Sequence, residues 1–197
     1  MKKILSIVAL CLIAVIAGTI IVFSCVDKDY NLNLKNPDYI EIIMNNGAES
    51  QSYFKDDEIS ANKEVYDKVM KLYNESYKQK IMSAIFQGTL GNKVTIERNS
   101  ISESSVTTSG VVIAFHYYEN QTLKLNGKTY TYTFASGTTE TNIQYKTLYV
   151  KVNSLDSLED VNIYVKNINT SSSYIYYSYK VKANQSALYE YLKENFA

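Results

Sequence analysis

The feature that most constrains this chain is a run of twenty residues, Ile4 to Phe23, that carries no charge and is interrupted by polar groups only at Ser6, Cys11 and Thr19. As a helix rising 1.5 Å per residue it spans roughly 30 Å, the hydrocarbon thickness of a bilayer. A core helix in a cytosolic protein rarely runs this long without a charge. Folding therefore falls to residues 26 to 197, a length that suits about one domain.

Lys2 and Lys3 precede the run, and Asp27, Lys28 and Asp29 follow it without a positive excess. That asymmetry holds the N-terminus in the cytoplasm and places the rest of the chain outside. The run exceeds the roughly 7 to 15 apolar residues of an ordinary cleaved signal, which favours a retained anchor. A competing reading rests on Cys25. Val22-Phe23-Ser24-Cys25 resembles a bacterial lipobox, whose cysteine becomes thioether-linked to diacylglycerol; Val22 and Ser24 fit that pattern and Phe23 is bulkier than the usual residue. Both readings give one localisation: the cell membrane, anchored, with the folded domain extracytoplasmic. The segments are then 1–25 as signal, lipoprotein signal or transmembrane anchor, 26–37 as tether, and 38–197 as a single α+β domain.

Composition removes several function classes. Without Lys2 and Lys3 the chain carries 18 basic against 20 acidic residues, so no basic footprint for nucleic acid exists. Cys11 and Cys25 are the only cysteines, and as helical positions they stand roughly 21 Å apart, beyond the ~7 Å limit for a disulfide. Past residue 25 there is no cysteine and one histidine, His116, which excludes zinc sites of the Cys₄ or Cys₂His₂ type. The expectation is a module with no metal, no cofactor and no catalytic residue.

The hydrophobic period organises the remainder. Asp38 to Met44 reads as a first strand. A loop through Asp56-Asp57-Glu58 leads to Ser60, a candidate N-cap for a helix over Ala61 to Gln87 that ends at Gly88. On a 100° wheel Val65, Tyr66, Val69, Met70, Leu72, Tyr73 and Tyr77 form its inner face, while Glu64, Asp67, Lys68, Lys71 and Glu75 lie opposite. From residue 93 the period becomes 2. Strands are expected at 93–98, 110–118, 121–125, 128–134, 143–152, 161–168 and 173–182, with Asn126-Gly127 as a type I′ hairpin turn and 100–109 as a Ser/Thr-rich loop. A closing helix begins near Asn184. The predicted class is α+β: an antiparallel β-sheet packed on one long helix, with a short C-terminal helix.

Short motifs add little chemistry. Ser60-Ala61-Asn62-Lys63 fits S-x-x-K at a helix start, but neither S-D-N nor K-T-G follows, so Ser60 is read as a cap. Asp27, Asp29, Asn31 and Asn33 alternate like the start of a calcium loop, yet Leu32 occupies the position that needs glycine. His116 sits in Val111 to Tyr118, where no sequence neighbour suggests a partner.

Tyrosine placement carries the functional expectation. Alternation in 143–152, 161–168 and 173–182 sets Tyr145, Tyr149, Tyr164, Tyr174 and Tyr176 apart from the aliphatic positions, on one outer face if the strands are neighbours. Tyrosine offers contact area with a hydrogen-bonding tip at low entropic cost, which suits a binding face. The alternative is that these rings shield the sheet or pack under the second helix.

The Lys-Lys start, the apolar run and Ser24-Cys25, followed by a module rich in Asn, Lys, Tyr and Ile, resemble small, functionally uncharacterised lipoprotein-type or membrane-anchored extracytoplasmic proteins of low-GC Gram-positive bacteria. The resemblance implies a bacterial cell-envelope protein and brings no activity with it. The expected function is a non-enzymatic binding or interaction module, attached to the membrane through its N-terminal segment, whose partner is an envelope protein or polymer and not nucleic acid. A small cell-envelope enzyme, or an immunity or inhibitor lipoprotein, is the alternative.

Overall fold

Alternating β-branched and aromatic residues favour half-buried strands, and they build the main layer of this protein. The computed structural model describes residues 11–19, 27–29, 35–44, 49–80, 96–100, 102–108, 110–125, 128–129, 131–133, 137, 139–141, 143–155, 159–166, 168 and 175–196. In chain order the strands are β1 (Asp27–Asp29), β2 (Tyr39–Met44), β3 (Glu49–Phe54), β4 (Lys78–Lys80), β5 (Ile96–Ser100), β6 (Val111–Thr122), β7 (Lys124–Leu125), β8 (Lys128–Thr129), β9 (Thr131–Thr133), β10 (Thr139–Thr141), β11 (Gln144–Val152), β12 (Glu159–Lys166) and β13 (Ile175–Ala183). The helices are α1 (residues 11–19), α2 (Ser60–Ser76), α3 (Glu103–Thr107) and α4 (Ser186–Phe196).

Seven strands form one antiparallel sheet in the order β3-β2-β6-β11-β12-β13-β5. With its helices this is an α+β fold. Cross-strand register sorts the residues into rows. Ile40, Phe115, Leu148 and Val165 make one row, and Ile42, Ile113, Val150 and Ile163 the next; all eight are almost wholly buried. Helix α2 covers this face, with the Tyr73 ring edge-on to Phe115 at 4.6 Å. Its buried residues, Tyr66, Val69, Met70, Tyr73 and Ser76, follow the expected stripe, while Val65 and Leu72 lie half-buried at its margin. Each large apolar side chain so buried contributes on the order of 1.5–3 kcal/mol.

Helix α2 is shorter than its apolar pattern suggests, which corrects the expected span of Ala61 to Gln87. It stops at Ser76 because local polar groups satisfy the last carbonyls: the Ser76 hydroxyl donates to the Tyr73 carbonyl at 2.7 Å, and the Asn184 backbone N–H donates to the Ser76 carbonyl at 2.9 Å. Ser60 is the first helical residue instead of the cap; Ile59 takes the cap position, and Asp57 Oδ1 accepts the Ile59 N–H at 2.9 Å. The expected helix end over residues 81–88 lies outside the described residues.

Several elements escaped the pattern. β3 reads Glu-Ser-Gln-Ser-Tyr-Phe; as an edge strand it buries only Tyr53, so it lacks an alternating apolar signal. Helix α3 lies inside the Ser/Thr-rich stretch expected as a loop, and Ser102 caps it by accepting the Ser105 N–H at 3.2 Å. The 128–134 strand is divided into β8 and β9, and β9 pairs with the unexpected β10. β7 and β8 pair across Leu125 and Lys128, the register that a two-residue turn at Asn126-Gly127 requires, although those two residues lie outside the described ones.

The chain divides into two compact units: Met1–Tyr30 with Lys78–Lys93, and Asn31–Tyr77 with Val94–Ala197. The first holds α1 and a two-stranded ladder of β1 and β4, so Asp27–Asp29 is strand where a plain tether was expected. All nine residues of α1 are exposed, with Leu12, Ile13, Val15 and Ile16 each more than half open. Among the described residues no helix is long and apolar enough to cross a membrane. The second unit holds the seven-stranded sheet, α2, α3 and α4, and every site discussed below belongs to it.

Candidate functional site

The sheet face opposite α2 is where the tyrosines were expected to stand open. Its central row is Glu41, Ala114, Tyr149 and Tyr164, flanked by Ile43, Val112 and Lys151 on one side and Tyr39, His116 and Thr147 on the other. Val106 of α3 caps it, closing a buried cluster of Ile43, Val106, Val112, Ala114 and Tyr149. Tyr149 is 5% exposed, and its hydroxyl donates to Glu103 Oε1 on α3. The expectation that Tyr149 presents its ring to a partner is thus corrected, because a helix hidden in a polar stretch covers it.

Tyr145 needs a different correction. Between Tyr145 and Thr147 the ladder with β6 slips, since Thr147 pairs with His116 and Tyr145 with Gln121. A bulge restarts the alternation, so residues on its two sides need not share a face. The Tyr145 ring meets Tyr117 edge-on at 5.8 Å and is 3% exposed. Tyr117 alternates with Phe115 and donates its hydroxyl to the Lys35 carbonyl at 3.0 Å, so both tyrosines belong to the α2 side. Burial pushes both hydroxyls far above the usual tyrosine pKa.

Tyr164 stays half-buried beside the α3 cluster, with the Lys151 ammonium 5.6 Å from its ring centre. The register pairs Tyr176 with Lys166 and Tyr164 with Ser178. Tyr174 and the lipidation candidate Cys25 lie outside the described residues.

On the same face His116 has partners that sequence reasoning missed. Its Nε2 lies 3.2 Å from Glu41 Oε2 and its Nδ1 3.3 Å from the Thr147 hydroxyl. The Tyr39 ring stacks on it at 4.4 Å and 6°. Burial lowers the imidazole pKa and outweighs the opposing pull of Glu41 and Glu103. The neutral ring then donates from Nε2 to Glu41 and accepts the Thr147 hydroxyl proton at Nδ1. Glu41 lies 75 positions from His116, so only strand order brings the pair together.

The Tyr39 ring leads to a cleft of about 290 Å³ lined by Asp38, Phe54, Asp56, Asp57 and Tyr118. Tyr39 stands 5.0 Å from Phe54 and 6.2 Å from Tyr118, centre to centre. Phe54 is 41% exposed and Tyr118 is 64% exposed. The carboxylates are held by backbone and side-chain donors: Asp38 Oδ2 accepts the Tyr118 N–H at 2.7 Å, and Asp57 Oδ2 accepts from Asn62 Nδ2 at 3.2 Å. These bonds use part of the roughly four acceptor sites an ionised carboxylate offers. Among the described residues no group of His, Cys, Asp and Glu is arranged to hold a metal ion.

No family model matches the chain, and neither does any curated protein or solved structure. The chemistry of the site therefore rests on its own geometry.

Proposed function

We propose that this protein is a non-enzymatic, membrane-anchored extracytoplasmic binding module whose recognition site is the cleft at Asp38, Phe54, Asp56, Asp57 and Tyr118. The observation that carries this reading is the pair of open rings, Phe54 and Tyr118, against a cleft, while Tyr145 and Tyr149 are sealed in the core. Concave sites with aromatic walls and a few oriented polar groups are where small ligands and peptide side chains bind. His116, held on three sides by Glu41, Thr147 and Tyr39, supports the wall behind that cleft. The partner is an envelope protein or polymer.

Anchoring rests on the uncharged run Ile4 to Phe23 and on the exposed apolar side chains of α1, which lipid would cover. Cys25 is the candidate for lipidation. The test is fractionation with added protease. The module should travel with membranes and be digested from outside wall-stripped cells, whereas full-length protein in the soluble cytosol would contradict the reading. Cys25→Ser should remove lipid labelling if the lipobox is used.

A second reading has one specific observation behind it. Thr147, His116 and Glu41 form a hydroxyl–imidazole–carboxylate chain, the order by which a nucleophile is activated. A small cell-envelope enzyme built on it predicts covalent capture of Thr147 by a fluorophosphonate probe, lost in His116→Asn. The binding-module reading predicts no labelling.

A further inference from the structure

The cleft has a chemistry that narrows its ligand. We propose that it takes a cationic amine, an alkylammonium or guanidinium group seated against the rings of Phe54 and Tyr118 with Asp38, Asp56 and Asp57 supplying the countercharge. This rests on the reading of the cleft as the recognition site and goes beyond it by fixing the ligand's class.

Two large rings, Phe54 and Tyr118, stand partly open at a concave surface on either side of Tyr39, and the faces of Tyr and Phe attract cations electrostatically. The lining decides between ligand types. Among the described residues it holds three carboxylates and no basic side chain, a lining that disfavours an anion. Of the lysines nearby in sequence, Lys63 Nζ donates to the Lys55 carbonyl at 3.2 Å and Lys35 pairs with Glu119 at 3.7 Å, while Lys55, between Phe54 and Asp56, is exposed and is not among the described lining residues. A hard metal ion needs several oxygens converging at roughly 2.0–2.6 Å, and the carboxylates do not converge in that way. An organic cation needs only proximity to ring faces and carboxylates, which is what the cleft provides. Its volume of about 290 Å³ admits an amine head with a short aliphatic stem.

The field of the site is felt inside the protein. After burial and the neighbouring Asp67 on α2, which is outside the lining, the cleft carboxylates Asp38 and Asp56 add a smaller push that raises the Tyr66 hydroxyl above its usual pKa. Tyr66 meanwhile donates to the Pro37 carbonyl at 2.6 Å, which fixes the backbone just before Asp38. Asp38 is therefore mounted on a held segment, and Asp57 is fixed separately by the Ile59 N–H and Asn62, so these two carboxylates are preorganised for a cation.

An alkylammonium could come from a free polyamine or from a lysine side chain of a partner protein, and two probes separate these sources. The experiment is calorimetric titration of the full chain in detergent micelles with spermidine, with Nα-acetyl-lysine methylamide, with its neutral norleucine analogue and with a neutral chitotetraose. The expected result is binding of at least one cation and none of the norleucine analogue. Affinity should fall about tenfold in Asp56→Asn and in Tyr118→Leu, since each removes a contact to a charged group. Asp67→Asn, an exposed charge on α2 outside the lining, should leave affinity unchanged. Tighter spermidine binding assigns a polyamine, and tighter lysine-analogue binding assigns a peptide. If chitotetraose binds in a Tyr118-dependent way and the cations do not, the cleft remains the site and the cationic class falls. If no probe binds, or Asp67→Asn weakens binding as much as Asp56→Asn, the proposal is overturned.

Discussion

Tyr149 and Tyr118 stand on neighbouring strands of one sheet, and the protein uses them in opposite ways. Tyr149 lies mid-strand beneath α3, with Val106 and Ala114 against its ring and Glu103 at its hydroxyl. Tyr118 lies where β6 begins to leave its ladder with β11, beside a turn rich in aspartate, and is 64% exposed. The two rings have the same chemistry. What separates them is whether another element reaches over the sheet at that position. An outward side chain on a strand is a surface residue only where nothing covers the sheet, and covering elements come from distant sequence.

That contrast can be broken by substitution, and the largest effect is expected where the sheet is covered best. Val69, fully buried on α2, should not tolerate a charge: Val69→Asp should abolish the cooperative thermal transition, while Lys71→Asp on the exposed side of the same helix should shift it by less than about 0.5 kcal/mol. Equal effects of the two changes would remove α2 as the cover of that face. Next comes Tyr149. Tyr149→Ser empties a ring-sized volume between sheet and α3 and should cost about 3 kcal/mol in chemical denaturation. Tyr149→Phe keeps the ring, loses the hydroxyl bond to Glu103, and should cost about 1 kcal/mol.

A smaller effect is expected from pH. His116 has a folded-state pKa below its usual 6.5 because burial disfavours the imidazolium. The unfolded chain then takes up its proton first as pH falls. Stability attached to this group is fully present above the unfolded value and is lost as pH drops from there through the lowered folded value. Denaturation midpoints measured downward from neutral pH should decline, and His116→Asn should flatten that part of the profile. A midpoint that rises instead would mean that the Glu41 carboxylate dominates and that the pair is ionic. The smallest effect belongs to Tyr118→Ser, within about 0.5 kcal/mol, because its ring is mostly in solvent.

Legibility in the sequence followed the same division. The α2 stripe of Tyr66, Val69, Met70 and Tyr73 and the rows through Ile113, Val150 and Ile163 repeat at 3.6 and 2, and each was visible from residue type alone. So was the closing helix near Asn184, which is α4, with Leu188 and Leu192 buried. Helix α3 was invisible because five residues with one apolar group, Val106, make no period, and its absence from the reading turned Tyr149 into an apparent surface ring. Tyr145 was misplaced by one irregularity, the slip between Tyr145 and Thr147, since alternation has no memory across a bulge. The cleft was out of reach for another reason: Asp38, Phe54, Asp56, Asp57 and Tyr118 come from the approach to β2, the end of β3, the turn after it and the interior of β6, and β3 shows no alternating pattern to announce it. The nearest signal was the break in burial after Tyr117, where Tyr118, Glu119 and Asn120 turn to solvent.

Tyr149, beneath α3, is structure, and Tyr118, on the stretch of β6 unpaired with β11, is surface. The most direct test is a paired denaturant titration of the full chain in detergent micelles, carrying Tyr149→Ser or Tyr118→Ser and read by near-ultraviolet circular dichroism. Tyr149→Ser should lose about 3 kcal/mol, and Tyr118→Ser should change by less than about 0.5 kcal/mol. A stable Tyr149→Ser protein beside a destabilised Tyr118→Ser protein would contradict this assignment.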